Sequence, residues 1–96
     1  MPKAIWNDQV IAEAAASEIY RVENNVYFPP AALKREFLKE SDTHSSCAWK
    51  GTASYFDVVV DDQVNESAAW YYPAPSKMAE RIKGYVAFWH GVKVEE

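Results

Sequence analysis

Short runs of apolar, β-branched and aromatic residues recur along the chain and are separated by Asn, Asp, Gly and Pro. Such runs, bounded by turn formers, are typical of β-strands. The longest run, 52–60, is predicted to be the central strand, and 61–63 turns the chain into a hairpin partner at 64–72. The other predicted strands cover 3–6, 10–15, 18–23, 26–28, 85–89 and 92–94.

Two segments favour helical structure instead. In 31–39, Leu33 and Phe37 are four residues apart and follow a proline pair that suits a helix start, so we predict a helix there. A short helical turn is predicted near 76–82, and the polar stretch 40–43 is predicted to be a loop. The pattern indicates a mainly β fold, a compact β-barrel or roll of about seven short antiparallel strands, formed by a single domain over 1–96 without a linker.

Composition narrows the class of protein. The 96 residues include 4 Trp, 6 Tyr and 4 Phe, which either fill the core or line a pocket. The net charge of −4 opposes binding to a nucleic-acid backbone. One cysteine cannot form an internal disulfide, and no stretch has the length and apolarity of a signal peptide or a membrane span. We therefore expect a cytoplasmic protein that binds neither nucleic acid nor membrane.

The corner at Trp49, Lys50 and Gly51 carries the chemistry expected of a binding site. A lysine beside a glycine can donate to an anionic group, and a tryptophan can stack on a planar ring. Pairing of the two predicted strands brings further rings close to this corner, and the turn before 26–28 adds a carboxylate. The predicted ligand-binding residues are Trp49, Lys50, Tyr55, Trp70, Tyr72, Glu23 and Tyr27. The alternative is that these rings pack in the core, that Lys50 is solvated and that Glu23 serves the turn alone.

His44 and Cys47 are the candidate catalytic residues, since a histidine can activate a thiol as a nucleophile. Three residues apart, they can meet in a turn but face opposite ways in a strand. The alternative for Cys47 is a small buried apolar residue. One Cys and two His are too few for a typical structural zinc site, so no metal is predicted, and no cofactor is identified.

Five segments resemble the domain of unknown function 427 family, which also carries a nucleotidyltransferase-like label. They are Val-Ile-Ala-Glu at 10–13, Val-Glu-Asn-Asn-Val-Tyr-Phe-Pro at 22–29, Cys-Ala-Trp-Lys-Gly-Thr-Ala-Ser-Tyr at 47–55, Ala-Trp-Tyr-Tyr-Pro at 69–73 and Val-Ala-Phe at 86–88. Where the family often has Glu-Gly-Asn, this chain has Asn24, which tolerates the same backbone angles. The resemblance implies a small, mostly β fold.

Phosphoryl transfer through two metals needs a pair of carboxylates on rigid strands and a phosphate-binding loop. Asp57, Asp61 and Asp62 lie in or after the central strand, but the three glycines are scattered singly. Asp61 and Asp62, at the turn, are then interpreted mainly as turn formers. We expect a domain that binds a small planar or anionic ligand. One alternative is an enzyme, either nucleotidyltransferase-like or dependent on Cys47 or His44, and another is a structural module that self-associates. The protein is accordingly expected to be a monomer or a homodimer.

Overall fold

The computed structural model describes all residues from 1 to 96 and contains nine β-strands and no α-helix. Four short 3-10 helices occupy Ala16–Glu18, Pro30–Ala32, Arg35–Phe37 and Lys77–Ile82. The strands are β1 (Lys3–Trp6), β2 (Gln9–Glu13), β3 (Tyr20–Val22), β4 (Asn25–Tyr27), β5 (Leu38–Cys47), β6 (Gly51–Val60), β7 (Gln63–Tyr71), β8 (Val86–Phe88) and β9 (Lys93–Glu95). The prediction of a mainly β fold is confirmed.

The strands form three antiparallel sheets. The largest has the order β5-β6-β7-β8, the second has the order β2-β1-β9, and β3 pairs with β4 alone. The predicted hairpin of the two long strands is confirmed as β6 and β7, which turn at Asp61 and Asp62 with positive φ angles of 49° and 65°. The three sheets do not close on one another, and the predicted barrel or roll is therefore not confirmed.

The predicted helix over 31–39 is wrong. Leu33 is extended, with φ −83° and ψ 135°, and lies opposite Ala12 in an isolated bridge. The Lys34 N–H donates to the carbonyl of Ile11 at 3.0 Å, and Leu38 already pairs with Val58 in the large sheet. A helix of this length is marginal on its own, so pairing with β2 and β6 overrides its local preference and leaves only two 3-10 turns.

The segment 40–43, predicted as a loop, lies inside β5. β5 is an edge strand that is mostly exposed, so it lacks the apolar alternation by which strands are recognised in a sequence. The short helical turn predicted near 76–82 agrees with the 3-10 helix Lys77–Ile82. No helix of this protein combines the length and apolarity needed to cross a membrane.

The large sheet separates two hydrophobic clusters. On one face, Phe56 and its neighbours pack with residues of β1 and β2 in a cluster of 16 buried residues. On the other face, Ala53 and Tyr55 of β6 pack with Tyr27 of β4 and with Ile82 of the last 3-10 helix in a cluster of 8. Alternation along β6 sends successive side chains to opposite faces, which is why one strand serves both clusters. The smaller cluster contains three of the predicted ligand-binding residues, Tyr27, Tyr55 and Tyr72, and Trp49 and Trp70 pack against it.

Candidate ligand-binding site

The corner between β5 and β6 is clamped onto the segment 74–76. Gly51 has a φ of +110°, and a Cβ at this position would be 3.4 Å from both the carbonyl oxygen of Ala74 and the Cα of Pro75. The Ser76 N–H donates to the carbonyl of Lys50 at 3.0 Å, and the Ser76 hydroxyl donates to the carbonyl of Trp49. The backbone angle is one that glycine adopts without strain. The backbone of Trp49 and Lys50 is therefore fixed against the segment 74–76.

Lys50 is enclosed although it carries a charge, with 5% of its surface exposed. Its ammonium group donates to Oε1 of Glu23 and forms an ion pair with it. Nζ also lies 5.3 Å from the centroid of the Trp49 ring and 5.6 Å from that of Tyr72. Ring faces attract a cation at such distances, so one carboxylate and two rings replace the water that Lys50 loses.

Glu23 reaches this lysine from the loop between β3 and β4. Its other oxygen, Oε2, accepts from Nε1 of Trp49 at 3.4 Å, so that two donors share one carboxylate. Glu23 and Asn24 have positive φ angles of 53° and 67°, and Val22 pairs with Asn25. The predicted strands 18–23 and 26–28 leave 24–25 as the loop between them, whereas the observed loop is Glu23 and Asn24, because Asn25 is used for strand pairing. The Glu23 side chain is 54% exposed, which makes it the open side of the site.

The ion pair shifts the pKa of both partners. The hydrogen bond from Lys50 lowers the pKa of Glu23 below its ordinary 4.5. Burial alone would lower the pKa of Lys50, but the hydrogen bond to Glu23 and the surrounding charges outweigh it, and the pKa lies above its ordinary 10.5. Both groups are consequently ionised over the whole neutral range.

The remaining predicted residues, Tyr27, Tyr55 and Trp70, pack in or against the smaller hydrophobic cluster. Tyr55 and Trp70 lie opposite each other in the β6–β7 pair. Nε1 of Trp70 donates to the hydroxyl of Tyr27 at 3.1 Å, and the two rings meet edge to face at 6.2 Å. Tyr27, Tyr55 and Tyr72 are buried, whereas the ring of Trp70 is only half-buried. The seven predicted ligand-binding residues thus share one face of the sheet, where most of the rings are packed together and Trp49, Trp70 and Glu23 border the solvent.

Trp89 belongs to this face, although the sequence did not single it out. Trp89 is 44% exposed. Its ring centroid lies 6.3 Å from that of Tyr55 and 5.3 Å from that of Trp70. Its place is set by the pairing of β8 with β7, in which Ala69 lies opposite Phe88. The two strands are separated by the 3-10 helix Lys77–Ile82, so no local pattern in the sequence indicates which rings meet.

The two candidate catalytic residues are not brought together. Both lie in β5, where His44 is opposite Ser54 and Cys47 is opposite Gly51, so the strand sends their side chains to opposite faces. Nδ1 of His44 is 3.3 Å from the hydroxyl oxygen of Ser54. Cys47 is half-buried and packs against the smaller hydrophobic cluster. The geometry gives Cys47 no histidine partner.

The three aspartates that were weighed against the needs of phosphoryl transfer lie at different places in the β6–β7 hairpin. Asp57 accepts from the Ser67 N–H at 2.8 Å, next to the irregularity in the β6–β7 pairing. Asp61 and Asp62 form the turn at the far end of that hairpin. No three His, Cys, Asp or Glu side chains of the chain are grouped in a way that suits a metal ion.

Fold and site together define a small, mainly β protein in which a buried lysine, flanked by the rings of Trp49 and Tyr72, pairs with an exposed carboxylate. The chain belongs to the family described as Domain of unknown function (DUF427), with the short name NTP_transf_9, whose profile matches residues 3–96. The resemblance noted in the sequence is thereby confirmed. A comparison with curated proteins gave no match.

Proposed function

We propose that this protein binds a small ligand that carries a carboxylate or a similar anionic group on a planar body, and that this group replaces Glu23 on Lys50 and Trp49. The main support is the arrangement around Glu23, where an enclosed ammonium group and an indole N–H hold a single carboxylate between them. This is a complete arrangement for recognising an anion. In the structure, the anion bound there is the carboxylate of Glu23, an exposed side chain from a hairpin loop.

The charge balance favours exchange of one anion for another. Lys50 is nearly buried, so leaving its ammonium without a negative partner is costly. Glu23 is exposed and its carboxylate is readily hydrated once it leaves. A ligand carboxylate that takes its place therefore satisfies Lys50, while water satisfies Glu23.

The rings explain why the ligand should be planar. Trp49 and Trp70 are both half-buried. Trp49 lies beside the ion pair, and Trp70 donates a hydrogen bond to Tyr27 in the adjoining cluster. The structure has two cavities, of about 200 and 290 Å³, and neither is lined by these residues. The ligand is therefore expected to lie on the surface of the rings rather than in a closed pocket. A flat aromatic or conjugated molecule makes the largest contact with such a surface.

Calorimetric titration with benzoate tests the proposal on four proteins: wild type, Glu23→Ala, Lys50→Met and Glu66→Ala. Glu66 is an exposed carboxylate without an ion pair and serves as the matched control. An internal carboxylate competes at an effective concentration on the order of mM, so Glu23→Ala should bind benzoate at least about tenfold more tightly than wild type. Lys50→Met should not bind it, and Glu66→Ala should behave as wild type.

Two further probes define the ligand. Acetate should bind Glu23→Ala more weakly than benzoate, since it lacks the ring, and inorganic phosphate reports whether other anions are accepted. Circular dichroism confirms that each variant is folded. Equal affinity of wild type and Lys50→Met for benzoate would refute the proposal, as would a Glu23→Ala protein that binds no better than wild type.

A further inference from the structure

A cavity of about 200 Å³ lies on the face of the large sheet opposite Lys50, and none of the ligand-binding or catalytic residues predicted from the sequence lines it. Its apolar floor contains the rings of Phe56 and Tyr71, which are stacked with centroids 4.7 Å apart and an interplanar angle of 19°. Val86 forms part of its wall and is almost fully buried. Sites for drug-sized ligands usually measure ~300–1,000 Å³, so the occupant of this cavity is smaller.

Two opposite charges line the cavity without meeting. Arg35, from the 3-10 helix Arg35–Phe37, and Glu40, from β5, both contribute to it. The three ion pairs of the protein are Arg21 with Glu96, Lys50 with Glu23, and Lys93 with Glu95. The guanidinium group of Arg35 takes part in none of them, which leaves its planar array of donors available for a carboxylate.

Glu40 is held in place by the floor of the cavity. The Tyr71 hydroxyl donates to its two carboxylate oxygens at 2.9 and 3.1 Å. Burial, followed by the hydrogen bond to Glu40, raises the pKa of Tyr71 above its ordinary 10.0, so this phenol keeps its proton at neutral pH. A carboxylate that accepts one shared proton has lone pairs left for a further donor.

We propose that this cavity binds a small zwitterion of α-amino-acid type, with its carboxylate on Arg35, its ammonium group on Glu40 and its apolar side chain on the Phe56 and Tyr71 rings. A simple anion of the same size would meet repulsion from Glu40, and a simple cation would meet repulsion from Arg35. A zwitterion complements both charges and fits the volume. The site is separate from the one proposed above, because Tyr55 and Trp70 lie on the other face of the sheet from Phe56 and Tyr71.

An NMR titration of the ¹⁵N-labelled protein with L-valine tests this inference. The backbone amides of Gly84 and Tyr71, which both line the cavity, should shift and reach saturation. Isovalerate, which lacks the amino group, and isobutylamine, which lacks the carboxylate, should each bind at least about tenfold more weakly, because each loses one charge-assisted contact.

Substitutions assign the two charges. Arg35→Gln and Glu40→Gln should each weaken valine binding by at least about tenfold. Glu36→Gln and Arg81→Gln are matched controls, because both side chains are exposed and neither lines the cavity. Lys50→Met should bind valine as wild type does, which separates this test from that of the proposed function.

Three results would overturn the inference: no saturable shift of Gly84 and Tyr71 with valine, isovalerate binding as tightly as valine, or full affinity in Glu40→Gln. The second and third would describe a site for anions in general rather than for zwitterions. Saturable valine binding that is lost in both Arg35→Gln and Glu40→Gln, and kept in both controls, would support it.

Discussion

Replacing Gly51 by alanine should destabilise the protein and should also displace the corner that carries Trp49 and Lys50. Gly51 has a φ of +110°, a region that residues with a Cβ rarely adopt. Such backbone strain costs about 1–3 kcal/mol. The new Cβ would also be 3.4 Å from backbone atoms of Ala74 and Pro75, which is the tight end of ordinary van der Waals contact. We expect a loss of about 2–3 kcal/mol in the free energy of unfolding.

Gly91→Ala is the matched control for this substitution. Gly91 also has a positive φ, of 87°, but nothing lies within 4 Å of the Cβ that alanine would add. Its cost is then the backbone term alone, about 1–2 kcal/mol. The difference between the two variants reflects the larger φ of Gly51 together with the close approach of the corner to the segment 74–76.

Urea denaturation followed by circular dichroism gives both free energies, and thermal melting gives an independent comparison. For a domain of this size, a loss of 1 kcal/mol lowers the melting temperature by about 4–8 °C, so Gly51→Ala should melt at least about 8 °C below wild type. Gly51→Ala as stable as Gly91→Ala would refute the close approach. Gly51→Ala as stable as wild type would refute the clamped corner altogether.

Three other measurements test the electrostatics and the strand geometry. Because the pKa of Glu23 is lower in the folded state, its ionised carboxylate stabilises the fold above the ordinary pKa of 4.5, and this stabilisation is lost as the pH falls through the lowered pKa. Urea midpoints should show this loss of stability in acid for wild type and not for Glu23→Gln. The raised pKa of Tyr71 should appear as a late phenol in an ultraviolet titration and should fall towards 10.0 in Glu40→Gln, while an unchanged curve would contradict the contact. His44→Ala should leave the rate of Cys47 labelling by a thiol reagent unchanged, because the two residues face opposite ways in β5, and a change of severalfold would contradict that placement.

The two proposed sites divide the large sheet between them. The face with Tyr55 and Trp70 presents a charge-compensated ion pair under rings, whereas the face with Phe56 and Tyr71 presents two separated charges around a small cavity. The first therefore favours an anion that replaces an internal one, and the second favours a molecule that carries both charges. Alternation along β6 and β7 is the reason that one hairpin can support both.

Short-range features of the sequence determined the elements that were predicted correctly. β1 was predicted with its observed bounds, and the β6–β7 hairpin was recognised from its apolar runs and from the aspartates between them. Tyr55 and Trp70 of the predicted ligand-binding set were grouped because the pairing of adjacent strands follows from their turn, which places the two residues opposite each other. Each of these features depends on residues that are close together in the chain.

Contacts between distant segments decided the rest. Pairing with β2 and β6 left the predicted helix over 31–39 as two 3-10 turns joined by extended chain. Pairing of 38–40 and 44–47 with β6 placed the polar segment 40–43 inside a strand. Packing alone showed that Lys50 is enclosed by Glu23 and rings, and that Arg35 and Glu40 share a cavity. The amino-acid sequence therefore determined local backbone preference and the alternation of faces, while the tertiary structure decided which faces meet, because burial and charge compensation depend on partners that are far apart in the chain.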